Sequence, residues 1–441
     1  MSSTLRNTLL FLVMGLLLLA DAYFHSWNSA LYILNLCLIS AIMALGVNIQ
    51  WGYAGLINFG VMGFIALGGT AAVFISSDPV YAAWAAGGAG ILVSGVFLVA
   101  TIVAAVYVRK LVDKENKGLR IFATAAVVVV GYFVTRYFYD PAVLAIEAVD
   151  SSATGFLGGL GLPILFSWIG GALFAAGAAW LIGKVALGLR EDYLAIATLG
   201  ISEILVTIMR NEDWLTRGVK NVVGLPRPVP YEVDLRDAAW FINLSERFSV
   251  SPSDFASIFV KLCYSGLFVV VLLLVLLLAE LALKSPWGRT MRAVRDNETA
   301  AEAMGKDVKR IHLKVFILGS AVIGLAGAML TTMDGQFTPG AYQPLRFTFL
   351  IWVMVIAGGS GNNWGAVLGG FLILFFWMEA EPIGVALLDQ LTSGLSDDSP
   401  IRQHLTDNAQ QMRLVMMGLL LLIVMRFRPS GLIPEKGAER R

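Results

Sequence analysis

Long apolar runs separated by short polar segments constrain this chain more than any other feature. A helix that crosses a bilayer needs about 20 mostly apolar residues, at about 1.5 Å rise each. Only 14% of the 441 residues are charged, against roughly 25% in an ordinary soluble domain. We therefore predict an all-α polytopic membrane protein, one transmembrane domain over residues 1–441 with about 10–12 helices. The twelve candidate runs are 7–24, 30–50, 54–75, 84–108, 120–138, 160–185, 192–209, 257–283, 312–333, 345–359, 365–380 and 411–427.

Glycine interrupts this pattern at two places. The runs 345–359 and 365–380 are short for a span, and the glycine-rich stretch Gly358–Gly365 joins them. A second glycine-rich stretch, Gly52–Gly60, leads into the third run. We expect Gly-interrupted or re-entrant segments near a transport path, with Gly55, Asn58, Gly359 and Gly361 as pathway or gating candidates. The alternative for the second stretch is close helix packing, which glycines spaced by four residues also favour.

The distribution of lysine and arginine predicts the orientation. Cytoplasmic loops of membrane proteins carry an excess of these residues. With alternating spans and both termini cytoplasmic, 21 of the 32 basic residues lie inside. The same assignment gives a cytoplasmic loop at 284–314 and long extracytoplasmic loops at 210–256 and 381–410. The outer loops either receive an extracytoplasmic partner or are insertions without a role.

The basic loop 284–314 has the signals of a structured segment. Ser285 is a good helix N-cap, Pro286 suits the first helical position, and Gly305 suits a helix end near Met304. Met291, Val294, Glu298 and Ala301 would share one helix face, which predicts that this face enters a groove on another protein. The alternative is a solvated loop that follows the charge bias.

Known catalytic patterns are missing from the sequence. No G-x-x-x-x-G-K-[ST] phosphate loop, G-x-S-x-G, H-E-x-x-H or paired-cysteine motif occurs. Cys37 and Cys263 lie in apolar runs, and the three histidines are scattered. We expect a non-enzymatic chain with no metal, no cofactor of its own and no nucleic-acid partner.

Two carboxylates in apolar runs need partners. Glu203 lies in the middle of its run, where a charge costs roughly 2.5–3.5 kcal/mol on insertion scales. It should therefore face protein or water, either as a pathway or gating residue or as a buried structural partner. Glu280 and Lys284 have i, i+4 spacing at a run end, which predicts an ion pair.

Five segments together resemble one family. The segment SPWGRTMRAVRDNETAAEAMG that opens at Ser285 is similar to the EAA-type coupling segment in the M-type permease subunit of branched-chain amino acid ABC importers. Four further matches occur in the family's order: GYAGLINFGVMGF (52–64), EDYLAIATLGISEI (191–204), VIAGGSGNNWGAVLGG (355–370) and RFRPSGLIPE (426–435). The resemblance covers the chain from about residue 30 to 435.

The resemblance implies a role for the basic loop and a set of partners. Glu298, Ala300, Ala301 and Gly305 would dock into one of two separate ATPase subunits, which would carry ATP and magnesium. A second permease, a periplasmic solute-binding protein and the lipid bilayer of a bacterial inner membrane would complete the system. Movement of the loop would drive alternating access.

Departures from the family pattern put the substrate in doubt. Residues 216–221 replace a usual T-G-G-x-N-G-like run, Val61 stands where a histidine is common, and 109–160 is expanded by a helix pair. Branched-chain amino acids are the expected cargo, with other amino acids, urea or short amides as alternatives. From other classes, an ion-coupled secondary transporter or a membrane scaffold stays open.

Overall fold

The computed structural model describes residues 3–112, 116–150, 154–393, 399, 403–405 and 408–435. Nearly all regular structure in these residues is helical, and each of the twelve predicted runs contains a helix. The helices are α1 Ser3–Phe24, α2 Trp27–Val47, α3 Val61–Ser76, α4 Tyr81–Leu111, α5 Lys117–Glu147, α6 Leu165–Ala186, α7 Glu191–Asn211, α8 Pro252–Lys284, α9 Val308–Asp334, α10 Leu345–Gly358, α11 Asn363–Leu391 and α12 Met412–Phe427.

The predicted class is confirmed. Within the described ranges, nine of these helices are long and apolar enough to cross a membrane. The other three, α3, α10 and α12, have 16, 14 and 16 residues. At 1.5 Å per residue these three are each about 21–24 Å long, less than the roughly 30 Å hydrocarbon core. Two of them, α3 and α10, adjoin the glycine-rich interruptions.

The core consists of α2, α3, α6, α9 and α11, packed at small residues. A Cβ atom added at Gly46 of α2 would lie 2.8 Å from the carbonyl oxygen of Gly319 in α9. One added at Gly171 of α6 would lie 2.8 Å from that of Gly324 in α9. Because glycine lets helix backbones approach closely, these contacts make α2 and α9 the two most buried of the nine membrane-span candidates in the described ranges.

The third helix begins later than predicted. The sequence placed a helix over 54–75, but α3 starts at Val61, after a non-helical segment over 55–60. Gly55 has φ +72°, in the left-handed region where side chains are disfavoured. Asn58 then bonds the backbone of Gly60 rather than joining a helical turn. Local backbone chemistry therefore outweighs the apolar run.

The predicted outer loop 381–410 is partly helical. The run 365–380 was expected to be half of a broken span, but α11 has 29 residues and continues through Pro382 to Leu391. Glu381 of this continuation pairs with Arg413 at the start of α12. A proline is tolerated here because neighbouring helices can satisfy the freed backbone groups of membrane helices.

The region 109–160, where the sequence predicted an extra helix pair, contains one long helix in its described residues, α5, and the partner of α5 is α4, which lies almost wholly before that region. Helices α4 and α5 pack on each other and expose most of their side chains around the pair. At the far end of α5, the Tyr139 hydroxyl donates to Glu212, and Trp214 Nε1 is 2.8 Å from both Tyr139 Oη and Glu212 Oε2. These bonds tie the pair to the segment after α7.

The end of the molecule opposite the basic loop, which we call the outer end after the predicted orientation, carries the segment between α7 and α8. This segment contains short helices at Asp213–Thr216, Gly218–Lys220, Glu232–Asp237 and Ala239–Arg247. Strand β1 (Val222–Val223) pairs antiparallel with β2 (Gln336–Phe337), which follows α9. The long predicted loop 210–256 is thus an ordered cap over residues 212–251, joined to the α9–α10 connection.

Candidate functional site: the inner loop and the interrupted helices

The basic loop folds into two short helices, at Pro286–Asp296 and Glu298–Ala303. We call residues 285–307 the inner loop. Ser285 caps the first helix as predicted, because its Oγ accepts from Gly288 N at 3.3 Å. Gly305 has φ +77° and follows the second helix, as expected of a helix-ending glycine.

The predicted single helix through Met304 is broken at Asn297. Its φ of −157° is extended, and its Oδ1 accepts from Ala300 N at 2.9 Å. Asparagine competes for backbone donors, and it is among the best N-caps, so it ends one helix and starts another. The break turns the second helix away from the axis of the first.

The inner loop presents a different face from the one predicted. Met291, Val294 and Ala301 are buried inside this chain, where Val294 and Ala301 pack against Val308 of α9. They do not form a surface for a partner's groove. Glu298 is exposed instead, because the break at Asn297 rotates it out of that face.

The four predicted coupling residues therefore divide into two groups. Glu298, Ala300 and Gly305 are exposed and neighbour the exposed side chain of Met304, which is 81% accessible. Ala301 fixes the second helix to the body of the protein. The exposed part forms a small protruding surface with one carboxylate and one long apolar side chain.

Arg295 links the inner loop to two other motif segments. Its Nη1 donates to the carbonyl oxygen of Gly52 at 2.5 Å and lies 3.1 Å from Glu435 Oε2. Burial alone would lower the pKa of Arg295, but the hydrogen bonds and charges of Glu435 and Asp296 outweigh it and raise this pKa above its ordinary value. Arg295 is therefore a permanently charged bridge from the inner loop to the start of the first interruption.

Gly55 lies directly against this bridge. A Cβ atom at Gly55 would lie 3.4 Å from Cγ of Arg295, and its positive φ already disfavours a side chain. Gly55 is a predicted pathway residue, and the structure places it at the contact between the inner loop and the first interruption.

The C-terminal segment, by which we mean residues 428–435, lies across the second interruption, the break between α10 and α11 at residues 359–362. Leu432 N donates to Ala357 O at 2.9 Å, and Ile433 N donates to Gly358 O at 2.8 Å. The side chain of Asn362 donates to Pro434 O at 3.0 Å. Since these bonds satisfy carbonyl groups at the end of α10, the C-terminal segment completes the break between α10 and α11.

Gly359 and Gly361 are required by this break. Their φ angles are +120° and +75°. Gly361 N donates to Asn48 Oδ1 at 2.9 Å, and Asn48 Nδ2 in turn donates to Asn363 Oδ1 at 3.2 Å. The end of α2 is thereby joined to the start of α11.

The same chain of hydrogen bonds reaches α8. Asn363 Nδ2 donates to Glu280 Oε1 at 3.0 Å, and Glu280 Oε2 lies 3.7 Å from Lys284 Nζ. The predicted Glu280–Lys284 pair is confirmed, and Glu280 has a second partner that the sequence did not indicate. We call Gly52, Arg295, Asn48, Asn363, Glu280 and Glu435 the inner cluster.

A cavity of about 990 Å³ lies beside the inner cluster. It is lined by Phe11 of α1, Tyr53, Glu280, Arg292 and Trp364, among others. The cavity separates α1 from the inner loop. This side of the loop is therefore loosely packed, which leaves room for it to move.

The start of α3 is held by a buried polar network. Asn58 is fully buried; its Nδ2 donates to Gln50 Oε1 at 2.9 Å, and its Oδ1 accepts from Gly60 N at 2.8 Å. Gln50 Nε2 donates to Phe316 O and to Ser320 Oγ of α9 at 2.9 and 3.0 Å. Asn58, a predicted pathway residue, therefore stabilises the backbone of the first interruption, residues 55–60, through its hydrogen bonds.

Two threonines complete this network. Phe59 N donates to Thr198 Oγ1 of α7 at 3.1 Å, and Met62 N donates to Thr348 Oγ1 of α10 at 3.2 Å. Backbone donors at a helix start would otherwise be unsatisfied inside a membrane. The start of α3 is thus bonded to both α7 and α10, the helices that any rearrangement at this break would affect.

Helix α7 carries Glu203 on the face that points away from the rest of this chain, which we call its outward face. Thr198 and Ser202 are buried against α3, whereas Glu203 is exposed, together with Thr207 and Asn211 at i+4 and i+8. The rest of this face includes Tyr193 and Ile196, which are 63% and 70% accessible. Within this chain Glu203 is therefore on a surface and not in a buried hydrogen-bonded position.

Sequence reasoning missed Asn48, Gln50, Arg295 and Glu435. Two signals could have found them. Asn48 and Gln50 are polar residues inside an apolar run, which calls for buried partners. Arg295 and Glu435 lie within the motifs that carry the family resemblance, although nothing in their spacing predicts that they meet.

In the described ranges, twelve apolar helices with two glycine-rich breaks, joined at one end to a structured basic loop, form a multi-pass membrane protein with an architecture that suits a transport permease. The chain matches the family model described as "Branched-chain amino acid transport system / permease component" over residues 117–425. Since this match covers more than half of the chain, the protein belongs to that family.

Relatives of known name agree with this assignment. Over 271 residues the chain is 27% identical to the high-affinity branched-chain amino acid transport system permease protein LivM of Escherichia coli (strain K12), covering 59% of this chain and 55% of the relative. It is 27% identical over 279 residues to a probable LivM of Methanocaldococcus jannaschii, covering 63% and 70%.

A second kind of relative also matches. The LivH permease protein of Salmonella typhimurium is 26% identical over 257 residues, covering 58% of this chain and 74% of the relative. The chain spans about 55% of the length of the Escherichia coli LivM, so what that protein transports is not carried over by similarity alone. No solved structure matches the chain.

Proposed function

We propose that this chain is a membrane-spanning permease subunit of an ATP-driven importer that takes branched-chain amino acids across a bacterial inner membrane. The observation that carries the proposal is the bridge from the inner loop to both interrupted helices through Arg295. Through this bridge, a force applied to the inner loop can be transmitted by hydrogen bonds to the breaks at 55–60 and 359–362. The names of the LivM and LivH relatives support the substrate class.

An ATPase subunit would dock on the exposed part of the inner loop. Glu298, Ala300 and Met304 protrude there, while Ala301 and Val294 anchor the loop to α9. An exposed methionine beside small residues suits a shallow groove, because its flexible thioether adapts to irregular surfaces. ATP and magnesium belong to that partner, and this chain would transmit movement without catalysing a reaction.

The transmission follows from the bonds of the inner cluster. A displacement of the 286–296 helix pulls on Gly52 through Arg295 and on the C-terminal segment through Glu435. Gly52 precedes the first break, and the C-terminal segment is bonded to the second. Both breaks would then change together, as alternating access requires.

A second permease would cover the outward face of α7. A carboxylate facing lipid is costly, so the stripe Glu203, Thr207 and Asn211 favours a protein or water boundary. Placing the path between two permeases satisfies this requirement. The ordered cap over residues 212–251 at the outer end then supplies a surface for a solute-binding protein.

The test is charge reversal on the inner loop. We expect Glu298→Arg to lower the recovery of ATPase subunits at least about tenfold when the complex is purified in mild detergent, because a like-charge clash at an interface costs several kcal/mol. Uptake of labelled leucine should fall in parallel. Insertion of the variant into the membrane should be unchanged, because Glu298 is exposed.

Glu246→Arg is the matched control. Glu246 is also exposed, but it lies in the 239–247 helix at the outer end. It should leave ATPase recovery at the wild-type level. Normal ATPase recovery with Glu298→Arg would refute docking at the inner loop. A wild-type complex that contains its ATPases but takes up no leucine, isoleucine or valine would refute the substrate class alone.

A further inference from the structure

Three metal-ligating side chains meet at the outer ends of α1 and α11. Asp21 and His25 share one face at the end of α1, and His25 N donates to Asp21 O at 2.9 Å. His25 Nδ1 lies 2.7 Å from Asp21 Oδ1 and 3.9 Å from Glu379 Oε2 of α11. One ligand atom from each residue lies within 4.8 Å of the others.

The second carboxylate oxygen of Asp21 accepts no hydrogen bond from an N–H or hydroxyl group, and the side chain beside it is the carboxyl group of Glu379. The Asp21 side chain is only 1% exposed, and its Oδ2 is buried. Glu379 beside it is 10% exposed. A buried carboxylate oxygen without a hydrogen-bond donor is costly. His25 offers at most one positive charge to these two carboxyl groups.

We propose that Asp21, His25 and Glu379 bind a divalent transition-metal ion of the Zn²⁺ class. Two carboxylates and one imidazole suit zinc, with bonds of about 2.0–2.2 Å, whereas Ca²⁺ and Mg²⁺ prefer oxygen ligands alone. The three ligand atoms already lie within 4.8 Å of one another, so binding would require only that these side chains close on the ion. This replaces the sequence expectation that the chain has no metal site.

The position of the site defines its role. The His25 side chain is 48% exposed, which leaves an entry from the outer side and a fourth position for water. Helix α1 is otherwise little buried and packs mainly on α2 and α11. A metal ion at this point joins α1 to α11 in addition to their apolar contact, and so stabilises the folded protein.

Zinc binding by the purified full-length chain tests the proposal. The protein, carrying an affinity tag without histidines, is treated with EDTA and transferred to chelator-free detergent buffer. Thermal unfolding is then measured with Zn²⁺, Ca²⁺ or Mg²⁺, and bound zinc is counted. We expect about one zinc per chain and a rise in unfolding temperature with Zn²⁺ only, since a ligand that binds the folded state stabilises it.

The variants His25→Ala, Asp21→Asn and Glu379→Gln should each weaken zinc binding at least about tenfold and remove the thermal shift. His25→Ala is the cleanest, because its side chain is half exposed. The matched controls His404→Ala and Glu381→Gln should keep both responses. Wild-type protein without a zinc-dependent shift, or variants that bind like wild type, would overturn the proposal. If Asp21 and Glu379 share a proton instead of binding a metal ion, the wild-type protein will show no zinc-dependent shift.

Discussion

Arg295 is the residue on which the proposed transmission depends most. Its guanidinium is bonded to a backbone carbonyl and to two carboxylates, one of them on the C-terminal segment. Only arginine offers several fixed donors on one planar group, so the three acceptors are satisfied together. Removing it leaves Glu435, half-buried, without its cation.

We predict that Arg295→Met uncouples the transporter without releasing the ATPases. An unsatisfied half-buried acceptor costs about 1–3 kcal/mol, which should lower the unfolding temperature of a chain of this length by about 1–3 °C. ATP-driven uptake in proteoliposomes should fall at least about tenfold. Adding Glu435→Gln to this variant should restore part of the stability, because the unpaired charge is then gone.

The matched control for Arg295→Met is Arg289→Met, an exposed position on the same helix. It should leave the unfolding temperature unchanged, because an exposed arginine leaves no buried acceptor behind. Strict additivity of Arg295→Met and Glu435→Gln in unfolding free energy would contradict a direct interaction between the two side chains. Full uptake by Arg295→Met would remove the bridge from the mechanism.

Local pairs could be predicted from the sequence, whereas distant pairs could not. The Glu280–Lys284 pair follows from i, i+4 spacing and is confirmed. Arg295 and Glu435 are 140 residues apart, and their meeting depends on how the C-terminal segment lies across α10 and α11. The same holds for Asp21 and Glu379, which only the packing of α1 on α11 brings together.

At the level of elements, the contact between the two halves of the α10–α11 break requires glycine. A Cβ atom at Gly365 would lie 2.8 Å from the carbonyl oxygens of Gly358, Gly359 and Ile433. All three atoms belong to the backbone and cannot move as a side chain would. The glycine spacing therefore serves close packing here, as the packing alternative predicted.

We predict that Gly365→Ala destabilises the protein by about 1–3 kcal/mol through overpacking, and reduces uptake, because the C-terminal segment must shift. Thermal unfolding and transport of the purified complex measure both effects. Gly418→Ala in α12 is the control, since a Cβ there meets nothing within 4 Å. It should be neutral or stabilising by about 0.5–1 kcal/mol. Equal unfolding temperatures for the two variants would contradict the packing argument.

The existence of the elements was predictable, while several of their ends were not. Each apolar run contains a helix because backbone groups in lipid must bond internally. The late start of α3, the break at Asn297 and the extension of α11 through Pro382 depend on single residues. Asn58 and Asn297, which compete for backbone hydrogen bonds, determine the start of α3 and the break in the inner loop. The ion pair of Glu381 with Arg413 of α12 supports the extension of α11.

At the scale of the whole molecule, the outward face of α7 is incomplete without a partner. Glu203 lies about 18 Å along a helix about 31 Å long, which places it within the membrane. Its polar neighbours on this face are Thr207 and Asn211, while the opposite face packs on the start of α3. A change at the α7 surface can therefore reach the first break through Thr198.

We predict that Glu203→Gln lowers uptake at least several-fold while the chain still inserts and folds, because the carboxylate is exposed on this subunit and would act at the boundary with the second permease. Recovery of the second permease and uptake of labelled leucine are measured in the same preparations. Glu246→Gln, an exposed carboxylate in the outer cap and away from α7, is the control for recovery of the second permease, which it should leave unchanged. If Glu203→Gln changed neither recovery nor uptake, Glu203 would have no part in the path, and the boundary with the second permease would have to lie on another face.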